Sequence, residues 1–326
     1  MKLWNIYHCE MPDFIREMAA TDRMQRLDSV GMNCGCEYTN FPIFNNIEPY
    51  SRYEHSVGVG LIVWHFTGDV QQSVAALLHD IATPVFSHVV DFMNGDHVRQ
   101  ESTESQTTAM IASSPALQAC LRCTGLQTCD VDDYHRFPVA DNDTPRLSAD
   151  RLEYTLGNVV NYGVGSRETV AAWYSNLVVG CNEEGADELM FSDLQTAEAF
   201  ALAAIQMSHI YVSDEDRFSM QILAELMAKH ICRGVLSEVD LYTTEPQVIE
   251  LLLRDPDAAA DWQRYRAYHK MITPNEQGTS HIIPAKKRYI DPYVQGRGRV
   301  SKLSPAFAEK LQQFLDISFD KPVMGV

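Results

Sequence analysis

The sequence predicts a mainly α-helical bundle carrying one small β-hairpin. Three observations lead there. Apolar residues recur at three- and four-residue spacing along most of the chain, as Phe14, Ile15, Met18, Met24, Leu27 and Val30 do over 12–30. The stretches between such runs are rich in Gly, Pro, Asn and Asp. Only the pair of short runs at 176–182 and 188–191 flanks a hairpin signal, Glu183-Glu184-Gly185-Ala186-Asp187.

In chain order, a helix is expected over 12–30 and a long loop over 31–53, where Gly, Asn, Pro and aromatic residues cluster. Helices follow at 54–67 and 70–82; in the second, Val74, Ala75, Leu77 and Leu78 form an apolar face and Pro84 ends the run. Further helices are expected at 85–93, 102–113 and 147–160, with 127–146, acidic and turn-rich, as an exposed loop. After the hairpin come helices at 194–213, 215–234, 245–254, 257–270 and 304–316, with a mixed stretch before the last. Neither an internal repeat nor a clean linker divides the chain. The expectation is a core over 1–235 and a mainly helical extension over 236–326 packed on it.

The 326 residues are 45% hydrophobic and 21% charged, as expected of a soluble globular protein. No stretch approaches the roughly 20 unbroken apolar residues of a membrane span. The start of the chain is too polar for a secretory signal, so a cytoplasmic protein is expected. The net charge of −18 repels nucleic acid and anionic membranes, so neither is expected as a partner. An anionic substrate would need a local positive site, which a divalent cation supplies. The eight cysteines, with Cys34 and Cys36 in a C-x-C pair and Cys120, Cys123 and Cys129 close in sequence, lack the paired spacing of a zinc finger and read as reduced thiols.

The chemistry starts at His79-Asp80, placed at the end of the apolar run Val74–Leu78. Burying both unpaired is expensive, and a divalent ion offsets that, because neutral imidazole and carboxylate are good ligands for one. His55, in Glu54-His55-Ser56-Val57-Gly58, and Asp150, in Ser148-Ala149-Asp150-Arg151-Leu152-Glu153-Tyr154, are the candidates to complete the set. Two nitrogens and two carboxylates suit one ion of Mn, Fe, Ni, Co or Zn. Four protein ligands leave room for water and substrate only at higher coordination number, which favours octahedral ions over tetrahedral zinc.

The surroundings sharpen this. Ser51-Arg52-Tyr53-Glu54-His55-Ser56-Val57-Gly58-Val59, Leu78-His79-Asp80-Ile81, Phe86-Ser87-His88-Val89-Val90-Asp91 and Asp150-Arg151-Leu152-Glu153-Tyr154 together resemble the HD superfamily of metal-dependent phosphohydrolases, and its deoxynucleoside-triphosphate triphosphohydrolase branch in particular. Asp22–Leu27 and Phe41-Pro42 resemble that family's lead-in. The resemblance is firm over about 20–160 and weaker to about 230. It implies an HD-domain helical bundle, His55, His79, Asp80 and Asp150 as metal ligands, and a metal-activated water as nucleophile. It further implies Asp80, His88 and Asp91 as catalytic residues, and Arg52, Arg151, Tyr154 and Tyr211 as substrate contacts. Arg288, in Lys286-Lys287-Arg288-Tyr289-Ile290-Asp291-Pro292, resembles a basic element of several bacterial members. The implied partner is a small phosphate ester, a nucleotide first among them, and homo-oligomers are common in the family.

The departures are as informative. Thr83 stands where the family has a histidine in H-D-x-G-H, and Thr103, in Thr103-Glu104, replaces another. Asn158 takes an acidic position, and 200–211 offers no phosphate-gripping arginine. His88 or His97 is then left to move protons. A hydrolase of a phosphate ester is expected, with triphosphohydrolysis proper or a weakened metal- or nucleotide-binding sensor as the alternatives.

Overall fold

The fold was analysed in a computed structural model that describes residues 2–98, 106–272 and 280–326. It is mainly α-helical, with a four-stranded and a two-stranded sheet as its only extended elements among those residues.

The central element is the helix Arg52–Thr67. Ser51 caps its start by accepting from the Glu54 amide, and Gly68, at φ 62°, closes its end. It is buried over most of its circumference, so its apolar residues do not form one stripe. Against it lie Val70–Leu78, Ala149–Asn161 and the short N-terminal helix Trp4–Tyr7. Gly58 permits a close approach of Ala149–Asn161: a Cβ there would sit 2.6 Å from Glu153 Oε1.

Two apolar clusters divide the interior. One joins the central helix to Leu194–Ile210 and Pro305–Leu315. The other joins Phe41, Phe44 and Phe86 to Asp214–Cys232, Glu245–Arg254 and Pro256–Ala267. Residues after 236 therefore contribute to both clusters.

The hairpin forms as Leu177–Cys181 against Asp187–Phe191. Its second strand also pairs in parallel with the distant strand Tyr293–Val294, which turns back through Gly298–Arg299.

Several helices differ from expectation. The run 12–30 breaks into Asp13–Ala19, Asp22–Arg26 and a 3₁₀ turn. The helix expected at 70–82 stops at Leu78, because His79 to Pro84 turn away. The one expected at 85–93 begins only at Val89, since Phe86 and Ser87 hold φ of 57° and 51°, outside the helical region. Of 102–113, Thr107–Ala112 is helical, and Thr103 and Glu104 lie outside the described residues. Helices Pro115–Thr124 and Thr128–Val131 add to the expected set; the second lies in the segment read as exposed loop, where Val139 and Ala140 are buried.

Candidate metal centre and cavity

His55 sits in the first turn of the central helix, His79 and Asp80 just past Val70–Leu78, and Asp150 in the first turn of Ala149–Asn161. The fold brings the four together. The donor atoms of His55, His79 and Asp80 lie within 4.8 Å of one another. Asp150 Oδ1 stands 3.0 Å from His55 Nε2 and 3.8 Å from His79 Nε2. Asp80 Oδ2 is 3.9 Å and 3.5 Å from the same two nitrogens.

Both imidazoles are held from behind. His55 Nδ1 meets Glu153 Oε2 at 2.6 Å, and His79 Nδ1 meets the Ala76 carbonyl at 2.7 Å. A carboxylate or carbonyl only accepts, so each Nδ1 donates. That arrangement turns both Nε2 atoms toward Asp80 and Asp150. Two nitrogen lone pairs and two carboxylates then converge, which is stable only with a positive charge among them. The His55 pKa expresses this. Burial pulls it down, yet hydrogen bonds to Asp150 and Glu153 and their charges carry it up to about 10. The donor set therefore fits a divalent ion, with Glu153 and the Ala76 carbonyl orienting the ligands.

Both acids stay ionised. Burial raises Asp80, but Arg52, His79 and His55 outweigh it and hold its carboxyl far below the usual range. Burial likewise raises Asp150, and its hydrogen bond to His55 with the two histidine charges brings it down. Arg52 Nη1 donates to Asp80 Oδ2 at 2.9 Å and Nε to Ser87 Oγ at 3.0 Å. Thr83 Oγ1 donates to Asp80 Oδ1 at 2.7 Å, so the residue in the histidine position buttresses a candidate ligand.

His55, His79, Asp80, Asp150 and Arg52 line a cavity of about 480 Å3, within the range of small-ligand sites. His88, Asp91, Arg151, Tyr154, Tyr211 and Arg288 all line it as well. His88 Nδ1 lies 3.0 Å from Asp91 Oδ2, and its Nε2 is 3.4 Å from Arg288 Nη2. Burial lowers the His88 pKa and the nearby arginines add to that, against Asp91. Arg151 turns toward Asp141 at 3.0 Å. Tyr154 and Tyr211 meet edge to face at 6.0 Å, and Asn158 Nδ2 donates to the Tyr211 hydroxyl. His97 is not on the cavity wall; it bonds Gln221 and packs on Phe92.

Several contributors were missed from sequence. Glu153 lies one turn after Asp150, and that i, i+3 spacing was the available signal. Tyr134 packs on His79 at 4.9 Å and Asp141 holds Arg151, both from a segment read as exposed loop. Arg26 clamps the carbonyls of Ile81 and Thr83, fixing the turn after Asp80. Cys34 and Cys36 are buried thiols, pushed up by burial, and no cysteine joins a candidate metal cluster among the described residues. No helix among those residues is long and apolar enough to cross a membrane.

No known protein-family model matches the chain. It is 25% identical over 281 residues to the uncharacterized protein YdhJ of Bacillus subtilis, covering 85% of this chain and 83% of that one. It is 24% identical over 319 residues to the metal-dependent phosphohydrolase cns2 of Cordyceps militaris, covering 92% and 87%. Among solved structures, a hypothetical protein from Aquifex aeolicus superposes with a TM-score of 0.63 at 17% identity, over 97% of this chain and 92% of that one. A phosphohydrolase from Bacteroides thetaiotaomicron gives 0.63 at 14% identity, over 97% and 96%. At these identities the two structures share the fold with this chain across nearly its whole length.

Proposed function

We propose that this chain is a metal-dependent phosphohydrolase of the HD type acting on a small phosphate ester, a nucleotide being the first candidate. One observation carries the reading. Two imidazoles locked by their Nδ1 atoms aim Nε2 at two ionised aspartates on the wall of a ligand-sized cavity. The likeness to a fungal protein named as a metal-dependent phosphohydrolase supports it.

His55, His79, Asp80 and Asp150 would hold the ion. When bound, it supplies Lewis-acid polarisation of a phosphoryl oxygen and a water of lowered pKa. The remaining work falls to the chain's own side chains. Arg52 fixes Asp80 and stands beside the centre as a cation. The His88–Asp91 pair presents Nε2 near Arg288, and with its lowered pKa His88 is neutral at pH 7 and ready to accept a proton. Tyr154 and Tyr211 offer an aromatic face to the organic part of the substrate. Arg151 supports that wall through Asp141.

The test is an assay of protein loaded in turn with Mn, Fe, Co, Ni and Zn against a panel of phosphate esters. Turnover with at least one ion, abolished in Asp80→Ala, is expected. No turnover with any ion, together with an Asp80→Ala protein that retains as much metal as wild type, would sink the reading.

A further inference from the structure

The number of phosphoryl groups the cavity accepts is written in the charges of its wall. Among the described residues the wall carries five basic side chains, Arg52, Arg151, Arg217, Lys286 and Arg288, and six aspartates. Much of the basic charge is already committed inside the protein. Arg52 is paired with Asp80 and Ser87. Arg151 Nη1 lies within hydrogen-bond reach of Asp141, Ser148 and Asn142. Arg217 has all three nitrogens engaged: Nε with the Val212 carbonyl, Nη1 with the Ile283 carbonyl and Nη2 with Asp214.

We propose that the substrate is a phosphomonoester with a single terminal phosphate and an uncharged leaving group, and not a polyphosphate. The proposal rests on the hydrolase reading and narrows it. Burial pushes the Asp216 carboxyl up to about 8, against the pull of Cys36, Arg217 and Arg288, so it carries its proton at neutral pH. With Arg217 matched by Asp214, the other five wall aspartates outnumber the remaining four bases by one, and a divalent ion leaves an excess of about one positive charge. A phosphate monoester bears roughly −1.5 to −2 at neutral pH, and each further phosphoryl group adds about one more. One phosphate therefore suffices to neutralise the centre. A longer polyphosphate would bring negative charge that the wall does not match, and unpaired charge in a partly desolvated site is costly.

The rest of the wall agrees. Tyr154, Tyr211 and Asn158, all neutral, line the same cavity. Asn158 Oδ1 is buried with no hydrogen-bond partner, an acceptor suited to a donor on the leaving group. The whole-molecule charge of −18 works against polyanions as well. The chemistry balances with water alone: the ester P–O bond breaks, the phosphoryl group joins the oxygen of water, and a proton from that water ends on the leaving alkoxide.

The experiment is calorimetric titration of Mn-loaded protein with inorganic phosphate and with tripolyphosphate, at matched free Mn and ionic strength. The metal content of the protein is measured before and after. Phosphate is expected to bind at least as tightly as tripolyphosphate, and both to lose affinity in metal-free protein. Tripolyphosphate binding about tenfold tighter or more, a gain of about 1.4 kcal/mol, would overturn the proposal while leaving the hydrolase reading intact. So would failure of both anions to bind protein that retains its Mn. Protein that takes up no metal at all overturns the hydrolase reading instead, and the two failures are told apart by the metal measurement.

Discussion

At the scale of single residues the centre depends on what stands behind the ligands. Glu153 is buried, and its Oε2 holds His55 Nδ1 while the hydroxyls of Tyr7 and Tyr50 reach its two oxygens. Removing its charge weakens the pull that keeps His55 Nε2 directed at Asp150. Glu153→Gln is therefore expected to lower metal affinity by about 10–100-fold, the range typical of outer ligand partners. Competition against a chelating dye measures it, with circular dichroism to confirm the fold; an unchanged affinity would show that His55 is oriented by packing alone. The four candidate ligands, which the structure brings together, could be picked out in the sequence because the motifs around them resemble a known family; His79-Asp80 alone is a common pair. Glu153 could not be, because a carboxylate beside Arg151 and Tyr154 reads equally well as a surface charge until the central helix is seen against it. What admits Glu153 is Gly58, a residue whose sequence signal is only the lack of a side chain.

At the scale of elements, the turn from Ile81 to His88 joins the candidate metal ligands to the His88–Asp91 pair, and distant segments hold it. Arg26 binds two of its carbonyls, and the Leu241 carbonyl accepts from the Val85 amide. Glu245, at the start of Glu245–Arg254, accepts from the amides of Gly31 and Phe86 through Oε1 and from the Tyr38 hydroxyl through Oε2. Phe86 and Ser87 both hold positive φ, so the chain there needs such fixing. In Glu245→Ala the two amides lose their acceptor, each costing about 1–3 kcal/mol where buried. The expected outcome is a lower unfolding temperature and a fall in kcat with metal content unchanged, read by thermal unfolding, steady-state kinetics and elemental analysis. A parallel loss of metal would instead place Glu245 in support of the ligands. This turn also marks where the sequence misled. The spacing over 85–93 is helical, and nothing in the residue types Phe86 and Ser87 announces a left-handed backbone. Likewise the acidic composition of 127–146 hid the fact that Val139 and Ala140 anchor it and bring Tyr134 and Asp141 to the site.

At the scale of the whole molecule, pH and salt act through charges that the fold has displaced from their usual behaviour. Asp216 ionises near 3.8 in an unfolded chain and at about 8 in the folded one. The folded state thus binds more protons between those values, so this group's contribution to stability falls as pH rises from about 4 to 8. Asp216→Asn is expected to flatten that part of the stability–pH curve and to raise the unfolding temperature at pH 8 more than at pH 5; equal shifts at both would contradict the buried, protonated state. The net charge of −18 makes a separate prediction about encounter. A phosphate ester approaching from solvent meets a repulsive field before it reaches the local positive centre. Raising ionic strength from about 0.01 M to about 0.15 M shortens the screening length from about 30 Å to about 8 Å. The long-range repulsion is then largely removed, while the short contacts inside the cavity are screened far less. The expected result is a rise in kcat/KM for an anionic ester with little change in kcat, and no comparable gain in affinity for an uncharged competitive ligand. A monotonic fall in kcat/KM with salt would mean that the cavity's own positive field, and not the surface, governs capture.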